Sequence, residues 1–260
     1  MVNYTFDLYN IEYFLLILVR ISCFVFTAPF FSMRGVPNIT KIGLSAILSM
    51  LMMGTMTPNE ADYTSVIGYA VLVFREAIPG LLLGFSASIA NYIGMFAGNV
   101  VDMDIGFAMV TEFDISSNSQ VTITANMYYY FTLLLLLVGG MHRFLIRALA
   151  DSFSLIPLGG AVFRRDVLLQ SMIVYMRNLF VLGFRIMLPV FAVMLTMNVI
   201  LGIMAKVAPQ MNMFSVGVQI KILVAFAVMY LMVFLFPEVV DMITEQMKLN
   251  LRNVAGGLHY

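Results

Sequence analysis

The chain has 260 residues, of which 62% are hydrophobic and 11% charged, and its mean hydropathy is +0.96. Soluble domains are nearer half apolar and a quarter charged, so this composition excludes an ordinary soluble domain and predicts an integral membrane protein. The formal net charge of zero argues against nucleic acid as a partner. The single cysteine, Cys23, excludes an internal disulfide and a multi-cysteine metal site. Residues 1–12 carry Asp7 and Glu12 but no Lys or Arg, unlike a cleavable signal peptide, so we expect the first apolar segment to be retained.

The apolar residues form six segments separated by polar stretches. In chain order these segments cover 13–33, 42–56, 66–101, 121–141, 179–204 and 222–236. A helix needs about 20 apolar residues to cross a bilayer, so the pattern predicts an all-α protein with five or six hydrophobic helical segments. No linker rich in Gly, Ser or Pro is long enough to divide domains, so we expect residues 1–260 to form a single domain. The tail beyond Pro237 alternates polar and apolar residues, which predicts a surface helix.

The distribution of charge raises a conflict over membrane topology. Lys and Arg favour the cytoplasmic side, which places the basic residues around Arg34, in 143–177 and near the carboxyl end inside. The acidic stretches around Glu60 and in 102–114 are then outside, yet both flank the segment 66–101. A simple single crossing by that segment is inconsistent with this arrangement. We therefore expect a hairpin, a re-entrant segment or a helix that does not span, with a break at Pro79.

Five charged residues interrupt apolar segments without an evident partner nearby in the sequence. Facing lipid, each costs at least about 2.5–3.5 kcal/mol, so each is expected to face protein, water or another charge. They could serve function by lining a water-accessible path or by contacting other subunits. Alternatively, they could be structural, either as paired charges that lock packing or as side chains that snorkel to the membrane interface. Because adjacent residues on one helix point about 100° apart, neighbouring charges should bind different partners. The five are Arg20, Arg75, Glu76, Arg185 and Lys221.

Two further patterns concern helix packing. Gly80-x-x-x-Gly84 and Gly94-x-x-x-Gly98 permit close helix contact, either within the chain or with a partner subunit. Arg-x-x-x-Pro occurs at 75–79 and again at 185–189, which is a faint sign of an internal repeat or a chance coincidence. Catalytic and metal-ligand constellations are absent from the sequence, so we expect neither an enzyme nor a cofactor.

The stretch 201–222 separates the last two apolar segments and contains a break in helix. Pro209 cannot continue a helical hydrogen-bond ladder, so the backbone is expected to turn near Ala208. Gln210 and Asn212 place amides at the turn, where freed backbone groups at membrane depth need partners. With Lys206 nearby, these residues are candidates for assembly contacts or for lining a pore.

The same stretch carries the most specific family resemblance. Its Leu-Gly-Ile, Lys206, Ala-Pro-Gln-Met-Asn-Met-Phe and Val-Gly-x-x-Ile-Lys-Ile run resembles the late signature of the FliR family. Earlier parts of the chain also match, in family order. These matches are Arg20 with 27–31, then 36–37 and 41–44, then Glu76, 79–80, 83–85, 97–98 and Gly106, then 140–142 and 152–159. Two positions depart from the family pattern: a proline is usual where Gln219 stands, and an Asp-Pro pair where this chain has Asp114-Ile115.

The resemblance implies a subunit of the bacterial flagellar protein export gate, whose virulence-secretion counterpart is SctT. It implies long, broken helical hairpins stacked with FliP-like and FliQ-like membrane subunits in a hetero-oligomeric helical assembly. Unfolded protein substrates would cross this channel in the inner membrane at the flagellar basal body, with FlhB-like and FlhA-like components also present. Much of such a complex is raised toward the periplasm, which would account for the topology conflict.

The resemblance also implies that the loop 103–119 plugs the closed channel. Its apolar residues include Phe107, Met109 and Phe113, and Gly106 lets its backbone bend. Alternatively, the two phenylalanines pack down on the neighbouring helices. A small secondary transporter or ion channel stays open as a second class of function, because charges within apolar segments and broken helices also fit a transport pathway.

Overall fold

The computed structural model describes residues 8–33, 35–56, 63, 65–107, 112–114, 119–208, 210 and 213–259. This part of the chain is almost entirely helical, which confirms the predicted all-α class. One small antiparallel ribbon between two helices was not predicted; it pairs β1 (Glu112–Asp114) with β2 (Ser119–Val121). The helices are α1 (Leu8–Thr27), α2 (Asn38–Thr55), α3 (Val66–Ile105), α4 (Ile123–Val138), α5 (Met141–Leu155), α6 (Arg165–Val207) and α7 (Met213–Leu258).

Three of the helices are much longer than a bilayer requires. Helices α3, α6 and α7 contain 40, 43 and 46 residues, so each extends about 60–70 Å at 1.5 Å per residue. By length and composition, four helices within the described part could cross a membrane: α1, α3, α6 and α7. The pair α4 and α5, bent by 71° at its junction, could form a fifth crossing.

The expected break at Pro79 is wrong. Helix α3 runs without interruption from Val66 to Ile105, and Pro79 lies inside it. Proline removes one hydrogen bond of the helical ladder, but Pro79 is buried and the next residue, Gly80, packs directly on the backbone of α1. Close packing on a neighbouring helix therefore holds the helix continuous across the missing bond.

The tail beyond Pro237 is helical, as predicted, but the apolar segment before it does not end at this proline, because α7 continues through Pro237 to Leu258. One face of this last part is buried, with Ile243, Met247 and Val254 fully enclosed. Spacings of four and seven residues place these side chains on one stripe of the helix. The alternating pattern of the tail therefore marks an amphipathic helix end that contributes to a core.

The chain divides into two compact units. Unit 1 comprises residues 1–89, 140–175 and 247–260, and unit 2 comprises residues 90–139 and 176–246. The core of unit 1 includes the fully buried α1 residues Ile17 and Ile21. The core of unit 2 is rich in methionine, including Met187, Met194 and Met229. The single export-gate domain expected from the sequence stays a prediction.

Candidate functional site

Arg20 and Glu76 form a buried ion pair in unit 1. Neither side chain is exposed, and Arg20 Nε donates to Glu76 Oε2 at 2.6 Å. Arg20 Nη1 donates to the carbonyl oxygens of Ser152 and Ile156 at 3.3 and 2.9 Å. The guanidinium carbon also lies 4.3 Å from the centre of the Phe153 ring. Of the alternatives that the sequence left open, this pair is the one in which paired charges lock packing, and it fastens α1 and α3 to the end of α5.

The turn after α5 completes this cluster. Gly159 N donates to Glu76 Oε1 at 2.7 Å, and Arg75 Nη1 donates to the Gly159 carbonyl oxygen at 3.3 Å. The φ angle of Gly159 is +73°, a left-handed conformation that favours glycine. As predicted from their positions on one helix, Arg75 and Glu76 bind different groups. Together they hold the turn from both sides.

The small-residue patterns of α3 serve packing within the chain. A Cβ atom at Gly80 would overlap the Arg20 carbonyl oxygen, so this glycine lets α3 contact the backbone of α1. In unit 2, a Cβ at Gly98 would lie 2.5 Å from Ala125 Cα, and one at Gly94 would lie 2.9 Å from Thr132 Oγ1. These glycines therefore bring α4 against α3, which is the first of the two alternatives that the sequence allowed.

A second buried polar contact joins α3 and α4 in unit 2. Asp102 is fully buried near the end of α3, and its Oδ2 accepts hydrogen bonds from the backbone N–H groups of Thr124 and Ala125 at 2.8 and 3.3 Å. These donors lie in the first turn of α4, where N–H groups lack partners within the helix. The Thr122 hydroxyl donates to Asn99 Oδ1 at 2.9 Å. These hydrogen bonds thus fix the start of α4 against α3.

The candidate plug residues differ in position. Phe107 is 9% exposed and packs in the core of unit 2, with its ring centre 6.0 Å from that of Phe226. This is the packing that the sequence offered as the alternative for this side chain. Gly106 has φ +98° and makes the turn that leaves α3. Met109 lies outside the described residues, and of Phe113 only the backbone in β1 is described.

The remaining charged candidate residues are not part of the Arg20–Glu76 pair or of the Asp102 contact. Arg185 and Lys206 are exposed on α6. Lys221 is half-buried on α7 and lies within electrostatic range of Asp104. These positions leave each of the three free to contact another molecule, so their roles stay predictions.

The predicted helix break near Ala208 is confirmed. Helix α6 ends at Val207 and α7 begins at Met213, with Ala208 and an exposed Gln210 between them. Pro209 and Asn212 lie outside the described residues. The turn therefore exists where proline was expected to make it.

The residues that surround Arg20 and Glu76 on the α5 side were missed as site residues. Ser152, Phe153 and Gly159 belong to a segment that matched the family pattern, and this was the signal that could have identified them. Asp102 was treated only as part of an acidic loop; it lies 22 residues before Thr124, so no local pattern in the sequence identified it as a cap of α4.

Within the described ranges, no group of three or more His, Cys, Asp and Glu side chains could hold a metal ion. The polar groups described above fasten helices to one another. Fold and contacts therefore define an all-helical membrane protein in which long helices are joined by buried polar contacts.

Comparison with known proteins identifies the family. The family model for bacterial export proteins, family 1, matches residues 11–247. The chain belongs to this family, and the resemblance to FliR is confirmed. It is 30% identical over 216 residues to the flagellar biosynthetic protein FliR of Bacillus subtilis, covering 82% of this chain and 83% of that protein. It is 27% identical to FliR of Escherichia coli K12, with coverage of 82% and 80%. It is also 26% identical to the surface presentation of antigens protein SpaR of Shigella flexneri, with coverage of 85% and 87%.

Proposed function

We propose that this chain is a core subunit of the bacterial flagellar protein export gate. With FliP-like and FliQ-like membrane proteins it forms the pore through which unfolded flagellar subunits cross the inner membrane at the basal body. FlhB-like and FlhA-like components associate with the same gate, and the whole chain acts as a single export-gate domain. The observation that carries this proposal is the family match over 11–247, together with relatives named FliR that align along most of the chain.

The long helices support a role inside a larger assembly. Exposed apolar side chains follow α6 over much of its length, including Phe180, Phe184, Leu188 and Leu195, each about half-exposed. A helix about 65 Å long cannot be covered by a hydrocarbon layer of about 30 Å. Contact with other membrane subunits would cover the rest of such a surface.

The test is expression with and without the partners. We expect the chain alone to aggregate or degrade, and co-expression with FliP-like and FliQ-like proteins to yield one monodisperse complex in mild detergent by size-exclusion chromatography. A monodisperse, stable monomer from expression alone would contradict the proposal and favour a small transporter or channel.

The similarity to SpaR supports a narrower alternative, the virulence-secretion form of the same gate. Complementation separates the two. Restored motility in a strain lacking FliR supports the flagellar gate, whereas restored secretion only in a strain lacking the virulence counterpart assigns the chain to the injectisome.

The loop between α3 and α4 is proposed as the plug of this pore. Its ends are fixed at Phe107 and at the Asp102 contact with α4, while the segment between them includes the β1–β2 ribbon. Deleting residues 108–116, which keeps the packed Phe107 in place, should leave assembly intact and make the membrane permeable to ions and small solutes. An assembled deletion variant in a tight membrane would show that this loop is not the plug.

The turn at 208–212 is proposed as an assembly contact. Gln210 is exposed between two long helices, and Lys206 is exposed one turn earlier on α6. Together with Pro209 and Asn212, these residues would bind a neighbouring subunit, and Arg185 and Lys221 would contact partners or the pore.

A further inference from the structure

Two buried oxygen atoms between α3 and α4 have no hydrogen-bond partner within the described part of unit 2. Asp102 is fully buried, and while Oδ2 binds the first turn of α4, Oδ1 is unpartnered. Tyr128 is 2% exposed, and its Oη is also unpartnered. Buried polar atoms in proteins nearly always bond to protein or to ordered water, so both oxygens require an explanation.

The two atoms are brought to the same place by the geometry of α4. Thr124, whose N–H binds Asp102, and Tyr128 are four residues apart and therefore lie on one face of the helix. Helical side chains lean toward the amino end of their helix, so the Tyr128 ring extends toward the turn that Asp102 binds. The charge of Asp102 acts on the Tyr128 phenol, which agrees with this placement.

A third oxygen lies at the same turn. Thr124 is 1% exposed, so its hydroxyl is buried. Within the described residues, this hydroxyl donates to the Met229 sulfur at 3.7 Å, which is a weak hydrogen bond. Its lone pairs are free to accept. Asp102 Oδ1 and Thr124 Oγ1 are therefore acceptors, the Tyr128 hydroxyl is a donor, and all three belong to buried side chains where α3 packs against the start of α4.

We propose that an ordered water molecule binds between Asp102, Thr124 and Tyr128. It donates one O–H to Asp102 Oδ1 and the other to Thr124 Oγ1, and it accepts the Tyr128 hydroxyl proton. Three hydrogen bonds are the usual number for a buried water. A hard cation is a poorer occupant, because such ions take six or more oxygen ligands and three side-chain oxygens are present here. The water satisfies Asp102 Oδ1 while Oδ2 caps the first turn of α4.

Hydroxyl-radical footprinting by X-ray irradiation of the assembled complex tests this directly, because radicals form from bound water and modify rings beside it. Tyr175 is the matched control: it is 1% exposed, but its hydroxyl donates to the Asn250 carbonyl. We expect Tyr128 to be modified several-fold faster than Tyr175, despite equal burial. Equal modification rates would overturn the proposal.

Removing the hydroxyl groups of Tyr128 and of the control Tyr175, one at a time, gives an independent test, because the sign of the change in stability differs between a hydrated and a dry site. With water bound, Tyr128→Phe loses a hydrogen bond and should lower the thermal stability of the complex, as Tyr175→Phe should. If the site is dry, removing an unsatisfied hydroxyl leaves stability unchanged or raises it, which contradicts the proposal. Stability that rises saturably with sodium or potassium, and loses this dependence in Asp102→Asn, would show a cation in place of the water.

Discussion

Changing Glu76 to glutamine should destabilise the protein far more than its small chemical difference suggests. The substitution keeps the shape of the side chain but leaves the buried Arg20 guanidinium without an anion, and the one amide oxygen of glutamine can accept from Arg20 Nε or from Gly159 N but not from both. Breaking a buried pair by removing one charge costs about 3–5 kcal/mol. At about 2–4 °C per kcal/mol for a chain of this size, Tm should fall by roughly 6–20 °C.

The assay is thermal unfolding of the complex purified with its partners, followed by loss of the monodisperse size-exclusion peak. Arg75→Gln is the matched control, since Arg75 is the adjacent residue, is exposed and makes one 3.3 Å bond; it should change stability by less than about 1 kcal/mol. The double variant Arg20→Met with Glu76→Met should be more stable than Glu76→Gln, because no charge is then left unpaired. A Glu76→Gln variant as stable as Arg75→Gln would refute the reasoning.

Four further outcomes follow from the packing and from the turn. Gly98→Ala should lower stability by about 1–3 kcal/mol in the same assay, because the new methyl group meets the α4 backbone; Gly43→Ala, on α2 with nothing within 4 Å, should raise it by about 0.5–1 kcal/mol. Asn250→Leu should cost about 0.5–1.5 kcal/mol, because it removes the hydrogen bond that the buried amide donates to the Ser86 carbonyl oxygen of α3 at 3.2 Å. Gln210→Ala with Asn212→Ala should reduce the yield of assembled complex; normal yield with lost secretion would instead place these amides on the conduction path.

Six of the seven helices could be predicted from the sequence, because apolar composition and length indicate membrane-depth helices almost directly, whereas α5 lies in a mixed, basic stretch and was not predicted. The continuity of α3 through Pro79 and of α7 through Pro237 could not. Proline weakens a helix locally, and the local rule favours a break. Whether the helix continues depends on packing, here the contact of Gly80 with α1, which residues distant in sequence provide.

The partners of the buried charges could not be predicted from the sequence either, because they too are distant along the chain. Arg20 and Glu76 are 56 residues apart, and the carbonyl groups that complete the cluster lie more than 130 residues from Arg20. A charge within an apolar segment indicates that a partner exists, but it does not say which one. Likewise, the aromatic character of Phe107 fitted both a plug and a core residue, and only the fold places its side chain in the core of unit 2.

The topology conflict follows from treating each apolar segment as a membrane crossing. Helix α3 has acidic stretches beyond both ends, and at about 60 Å it is twice the thickness of the hydrocarbon layer. About half of such a helix must therefore lie outside lipid, and its charged residues need protein contacts there. Glu76 has such contacts from two other segments of the chain, α1 and the turn after α5, so this part of α3 is stabilised without requiring a position in the bilayer. Charge at the ends of α3 thus gives no reliable count of crossings, and the positive-inside rule applies only to helices that lipid actually surrounds.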